Sequence, residues 1–255
     1  LARGIEDIAA MYRYNIILSN SDQNEAKELE LLDTMLGKQV DGIVMMSDHV
    51  TEKLTNAIRQ SPVPIVLAGS IIQNNSIPTV NIDYFQAAFD AIQLFIVKGH
   101  KKIAFVSGPL EYTINGEHKL AAYKKALQQA NIEVNEQLID ATDGTYDEAV
   151  LSWETFTQKG HVPTAIFAGS DEIALGIIHA IQDAGKRVPE DVEVISFENS
   201  KLARMIRPQL TSVALPLYDI GAVSMRLLTK LLNKEEVPDK NVILPYRIET
   251  RKSTK

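Results

Sequence analysis

The sequence predicts an α/β protein made of two similar Rossmann-like subdomains, with parallel sheets and three chain crossovers. Three observations predict it. Short apolar runs alternate with helical apolar periods almost without interruption through the 255 residues, the pattern of repeated βα units with helices on both faces of a parallel sheet. The alternation restarts after Asp83. A last helix and two short strands follow Pro216 with too few neighbours to form a layer of their own, so they are expected to cross back and complete both sheets. The expected subdomains are residues 1–83 with 217–244, and residues 84–216 with 245–255.

Taken in order, Leu1, Ile5, Ile8 and Tyr12 fall at helical spacing, so Leu1–Tyr14 reads as a helix and Asn15–Ser19 as a strand. Gln23–Gly37 is a helix with Leu29, Leu32 and Leu36 inward, followed by a strand at Val40–Met46. A helix at Thr51–Gln60 leads to strands at Pro64–Ala68 and Thr79–Ile82. After Asp83 come helix Phe85–Lys98, strand Lys102–Ser107, helix His118–Ala130, strand Gln137–Asp140 and helix Asp147–Lys159. The stretch Pro163–Gly176, PTAIFAGSDEIALG, is the clearest single unit. A strand ends at Gly169-Ser170-Asp171, Ser170 is placed to cap, and Ile173, Ile177, Ile178 and Ile181 carry a helix to Gly185. Strands at Glu193–Phe197 and Thr211–Ala214, helix Tyr218–Asn233, and strands Val242–Leu244 and Arg247–Thr250 complete the chain. The first strand of a doubly wound unit is central, and this chain opens inside a helix. A first core strand is therefore expected ahead of Leu1.

Composition narrows the function. The formal net charge is −7 and no helix clusters Arg or Lys, so these residues do not form a nucleic-acid surface. There is no cysteine, no apolar run near the ~20 residues of a membrane span, and no signal peptide, which fits a cytoplasmic protein with no membrane contact. Chemistry is hard to find. Gly185-Lys186-Arg187 lacks the remainder of a phosphate-binding loop, and neither G-x-G-x-x-G nor G-x-S-x-G occurs. His49, His100, His118, His161 and His179 have no metal-ligand spacing. No catalytic residue, metal or cofactor is expected, and a binding protein is favoured over an enzyme.

Further segments carry a resemblance. VDGIV at Val40–Val44, PIVLAG at Pro64–Gly69, VNID at Val80–Asp83 and KGHKKIAFVSGP at Lys98–Pro109 precede the Pro163–Gly176 unit. RVPEDVEVISF at Arg187–Phe197, RPQLTSV at Arg207–Val213, DIG at Asp219–Gly221 and RKST at Arg251–Thr254 follow it. In order and spacing the set resembles the regulatory core of the LacI/GalR transcriptional regulators across essentially the whole chain. LARGIEDIAAMYRYNIILSNSD at Leu1–Asp22 and YDIGAVSMRLLTKLLNKE at Tyr218–Glu235 resemble the members that govern carbon catabolite repression and activation.

The resemblance implies a periplasmic-binding-protein-like fold and a homodimer. It also implies operator DNA read by a helix-turn-helix headpiece that this sequence does not contain. An effector cleft would be lined by Asp83, Lys119, Asp171 and Glu198. Relatives carry Arg near Lys119, Gly at Ala122, and G-F-D at Ser196-Phe197-Glu198, so this chain is expected to take sugar phosphates weakly at most. Plainer readings stay open: a first-turn acid beside Ser170 for Asp171, a helix start for Asp83, a solvated side chain for Lys119.

The last helix adds a physical argument. Ile220, Leu227 and Leu231 make one apolar face; Tyr218, Ala222, Met225 and Leu232 lie roughly opposite, where a monomer would expose them. Asp219, Val223, Arg226 and Lys230 fall between, within an arc of about 60°. Residues alone leave a solvated helix face equally open. The resemblance implies that this face receives serine-phosphorylated HPr, with Arg226 and Lys230 on the phosphate and Asp219 on a partner histidine. Asp7, Met11 and Tyr14 of the first helix would complete the platform, unless Asp7 merely pairs with Arg3. The alternative is a periplasmic-type sugar-binding protein, which needs a secretory signal and stacking aromatics; the one tryptophan is Trp153.

Overall fold

Helix starts in this chain are set by side chains that cap them. Asn24, Thr51, Asp83, Thr145 and Ser170 each accept a hydrogen bond from the backbone N–H three residues on, satisfying a donor that a helix leaves over. The computed structural model describes residues 1–72 and 77–255. In chain order the elements are α1 (Ala2–Met11), α2 (Glu25–Gly37), β1 (Ile43–Met45), α3 (Glu52–Arg59), β2 (Ile65–Ala68) and β3 (Thr79–Asn81). Next come α4 (Tyr84–Val97), β4 (Ile103–Ser107), α5 (Ala121–Gln129), β5 (Ile139–Ala141), α6 (Tyr146–Gln158), β6 (Ala165–Ala168) and α7 (Asp171–Asp183). The chain closes with β7 (Glu193–Glu198), α8 (Lys201–Met205), β8 (Thr211–Ala214), α9 (Leu217–Leu232), β9 (Asn241–Ile243) and β10 (Arg247–Glu249).

The described chain divides into two compact units, Leu1–Ile82 with Pro216–Pro245, and Asp83–Leu215 with Tyr246–Lys255. In the first, four parallel strands run in the order β1-β2-β3-β9. Alternation along β2 serves both sides of this sheet. Val66 and Ala68 join Ile8, Ile220, Leu227 and Leu228 under α1 and α9, while Ile65 and Leu67 join Leu32, Leu54 and Ile58 under α2 and α3. The second unit has six strands in the order β10-β8-β7-β6-β4-β5. All are parallel except β10, which returns antiparallel to β8. The α/β class with parallel sheets stands, with that one edge exception.

Three local expectations need correction, and one short helix is added. Asn15–Ser19 forms no strand: between it and β1 lies an apolar slot, so no neighbour stands at pairing distance. The helix expected from His118 begins earlier, as a π-helical turn over Ile114–Leu120 that runs into α5. The short α8 was not foreseen. The second apolar side of α9 is exposed only at Tyr218; Leu232 is half-buried, and Ala222 and Met225 are buried in the core that α9 shares with α1.

That burial is possible because two glycines bring backbones together. A Cβ on Gly4 would stand 2.1 Å from the Tyr218 carbonyl oxygen, and one on Gly221 would stand 2.2 Å from that of Leu1. Neither contact has a flexible side chain that can give way. Gly4→Ala should therefore lower the unfolding free energy by roughly 1–3 kcal/mol through overpacking, read as a lower urea midpoint. Gly37→Ala, with nothing within 4 Å, should be neutral or stabilise by up to about 1 kcal/mol.

Candidate functional site

Two places gather the residues singled out in the sequence. The first is the outer face of α9 with the adjoining edge of α1. Tyr218, Asp219, Arg226 and Lys230 are exposed and Val223 is half-buried, so the 3- and 4-residue spacings put them along one stripe. Asp7 joins them across the helix pair: the Tyr218 hydroxyl donates to its Oδ2 at 2.9 Å, and Arg3 Nε lies 3.0 Å from its Oδ1. The Arg3 pairing and the platform position thus coexist. This hydrogen bond to Asp7 also holds the Tyr218 phenol above its usual pKa. Met11 is 71% exposed at the end of α1. Tyr14 parts from this group; it follows the end of α1, packs into the α1–α9 core and lines the slot.

The second place is the C-terminal end of β4, β6 and β7. Lys119 is only 6% exposed, so it is no solvated side chain. The π-helical turn carries it inward, where its Nζ donates to the Gly169 carbonyl at 2.9 Å and lies 4.5 Å from the centroid of the Phe197 ring. Asp171 is 1% exposed. Ser196 Oγ and Ser212 Oγ donate to its Oδ1 at 2.6 and 3.1 Å, and the Ser200 N–H donates to Oδ2. The carboxylate ties α7 to β7, β8 and the start of α8, a larger role than first-turn charge alone. Glu198 ends β7 with φ of +108°, a backbone region that side chains rarely adopt. Asp83 is exposed and caps α4 through the Gln86 N–H at 2.8 Å. Its charge reaches the neighbour of Lys119, His118, whose pKa burial pushes down.

Sequence reasoning missed the partners of these charges. Ser196, Ser200 and Ser212 stand 25, 29 and 41 residues from Asp171, and no spacing rule links them. It also missed a polar group in the first unit. Glu28, 6% exposed on α2, accepts from Ser47 Oγ at 3.2 Å, and the Ser47 N–H donates to Ser70 Oγ at 2.8 Å. Burial pushes the Glu28 carboxyl pKa up. Among the described residues no cluster of potential metal ligands occurs, and no helix is long and apolar enough to cross a membrane.

A family model of the periplasmic binding protein-like domain matches residues 92–254. The catabolite control protein A of Priestia megaterium is 58% identical over 255 residues, which span 100% of this chain and 77% of that protein. The chain belongs to the catabolite control protein A family. The Staphylococcus xylosus member is 46% identical over the same span, again 100% of this chain and 77% of that protein. The solved transcription regulator CcpA of Lactococcus lactis matches with a TM-score of 0.93 and 43% identity, covering 100% of this chain and 93% of that one. A transcriptional regulator solved as the CelR–cellobiose complex matches at 27% identity with a TM-score of 0.90, over 99% and 77%. The chain is thus a transcription regulator of catabolite control with a periplasmic-binding-protein-like fold, and not an enzyme. The periplasmic sugar-binding alternative shares that fold and yields to the identity with regulators.

Two substitutions probe the buried carboxyls. Asp171→Asn places an amide donor against donors and should cost about 1–3 kcal/mol of stability in urea unfolding. For Glu28, the raised folded-state pKa means that the native protein holds the proton more tightly than the unfolded chain. The stability it contributes is complete below the ordinary value of 4.5 and is lost as pH rises through the raised value. Glu28→Gln should abolish that fall, measured as unfolding free energy from pH 4 to 8.

Proposed function

We propose that this chain is the regulatory core of a repressor/activator of carbon catabolism that takes serine-phosphorylated HPr as its corepressor on the α1–α9 face. The carrying observation is the stripe of exposed Asp219, Arg226 and Lys230 with half-buried Val223, beside Asp7 and Met11 on two helices locked backbone to backbone. A phosphoserine brings nearly two negative charges and three acceptor oxygens. Arg226 offers a forked donor for them, Lys230 adds charge one turn on, and Val223 gives the partner a half-buried apolar contact. Asp219 accepts a hydrogen bond from a partner histidine. Asp7 and Tyr218, bonded to each other, form a preset polar edge, and Tyr14 serves from beneath by filling the core under α1.

The remaining parts of the reading follow the family. The core acts as a homodimer, and operator DNA is bound by a headpiece outside these residues, because a chain of net charge −7 offers duplex DNA little counterion release. Lys119, Glu198 and Asp83 take phosphorylated sugars weakly. Lys119 has already spent its ammonium on Gly169 and Phe197, and Asp171 has spent its carboxylate on serines. Docking on α1–α9 biases how the core presents the headpieces, a coupling between two sites.

Calorimetry with serine-phosphorylated HPr tests the face. Arg226→Ala should weaken binding by about 2–5 kcal/mol, thirtyfold or more, since the phosphate loses its main charge-assisted donor. Arg226→Lys should recover only part, because an ammonium lacks the fork. Equal affinity of the parent and Arg226→Ala would remove this face from the function.

A further inference from the structure

The chain passes from one compact unit to the other three times, at Ile82–Asp83, Leu215–Pro216 and Pro245–Tyr246. Each passage is short. Two residues separate β3 from α4, two separate β8 from α9, and three separate β9 from β10. Hinges are built from just such residues at the ends of elements. Whether three of them bend together or separately depends on what ties one to the next.

Backbone ladders supply most of the ties. In the first unit β3 and β9 run parallel, Asn81 stands opposite Ile243, and the Leu244 N–H donates to the Asn81 carbonyl at 2.7 Å. The first and third passages therefore leave that sheet side by side. In the second unit β10 lies antiparallel to β8, with Arg247 opposite Ala214, so the second and third passages meet that sheet side by side. The first passage has no ladder at this end. It runs directly into α4, and a helix keeps its backbone hydrogen bonds within itself.

Side chains of the second unit take the place of the ladder. Asp83 Oδ1 accepts from the Gln86 N–H at 2.8 Å, and Gln86 Nε2 donates to Asp90 Oδ1 at 2.7 Å. The hydroxyl of Tyr246, the residue in which the third passage ends, donates to Asp90 Oδ2 at 2.6 Å. That is the length of a charge-assisted bond, and both residues are half-buried. Burial, then the bond to Asp90 and the charges of Asp90 and Asp83, holds the phenol above its ordinary pKa. Tyr246 thus keeps the proton that it donates.

We propose that Tyr246 is a hinge clamp: its bond to Asp90 fastens the first passage to the third, so that the three passages bend as one. Without the hydroxyl, the ladders still join the second passage to the third, and the first is left to bend by itself. The clamp adds nothing to the sheet of either unit, so its loss loosens the connection and leaves both folds in place.

Distance distributions between two spin labels test this. The chain has no cysteine, so Lys53→Cys on α3 and Gln128→Cys on α5, both exposed positions, place one label on each unit. Labelled protein is diluted into an excess of unlabelled protein, which restricts the measurement to pairs within one chain. Tyr246→Phe keeps the ring and loses the hydroxyl, and should broaden the distribution by about half or more. Asp90→Ala should broaden it equally, and the double substitution no further than either alone, because both remove the same bond. Amide exchange in β4 and β6 should stay as in the parent. An unchanged width in Tyr246→Phe would overturn the clamp. So would additive broadening in the double substitution, which would mean that the two residues act separately. Broadening accompanied by faster exchange throughout β4 and β6 would mean a general loosening of the second unit, and would overturn it likewise.

Discussion

Where α1 crosses α9, carbonyl oxygens of one helix lie where a Cβ of the other would be, at Gly4 against Tyr218 and at Gly221 against Leu1. Helices normally keep their axes 8–10 Å apart because side chains intervene; here the intervening atoms are missing on both sides. The remainder of the first unit is arranged around this contact. It brings Asp7 within hydrogen-bond reach of Tyr218, and it turns the flank of α9 that carries Ala222 and Met225 into core. It also leaves a single polar stripe of α9 facing outward. Two loosely packed helices would leave the surface they share to be ordered from outside; this one is already ordered by backbone contact.

The second unit is organised by charge taken out of circulation. Asp171 accepts from two serine hydroxyls and a backbone amide, and Lys119 donates to the Gly169 carbonyl and Asn115 Oδ1 beside an aromatic face. Buried charges persist only when so satisfied. Both groups stand at strand ends, where open α/β sheets usually bind ligands, and both are committed to the fold. A free sugar offering only hydroxyls would have to compete with these internal bonds.

Elements whose cause is local were legible in the residues. Ser170 was placed as a cap and does cap, through the Ile173 N–H at 3.1 Å; the stripe from Asp219 to Lys230 followed from helical geometry alone. Where the cause lies elsewhere in the chain, the residues were silent or misleading. Asn15–Ser19 has a strand's composition, but a strand exists only with a partner beside it. Ala222 and Met225 looked exposed because nothing near them in sequence announces that Gly4, more than two hundred residues earlier, lets α1 lie on top. The five residues of α8 are too few to show a period. Of the serines around Asp171, Ser196 and Ser212 are ordinary strand residues and Ser200 an ordinary helix cap until the sheet places β7 beside β8.

The π-helical turn at Ile114–Leu120 closes its backbone hydrogen bonds one residue further along than the α-helix it enters. Lys119 lies within that turn and donates to the Gly169 carbonyl. Each residue of an α-helix advances the side-chain direction by about 100°, so a one-residue deletion in the turn ahead of Lys119 would leave α5 continuous while swinging the ammonium off its carbonyl. Insertions and deletions are usually thought to be tolerated in loops and ruinous in helices. At this position the length of a helix, rather than the identity of any side chain, sets which way the unit's buried cation points, and a lineage could change it in one step without altering a single residue of the surrounding site.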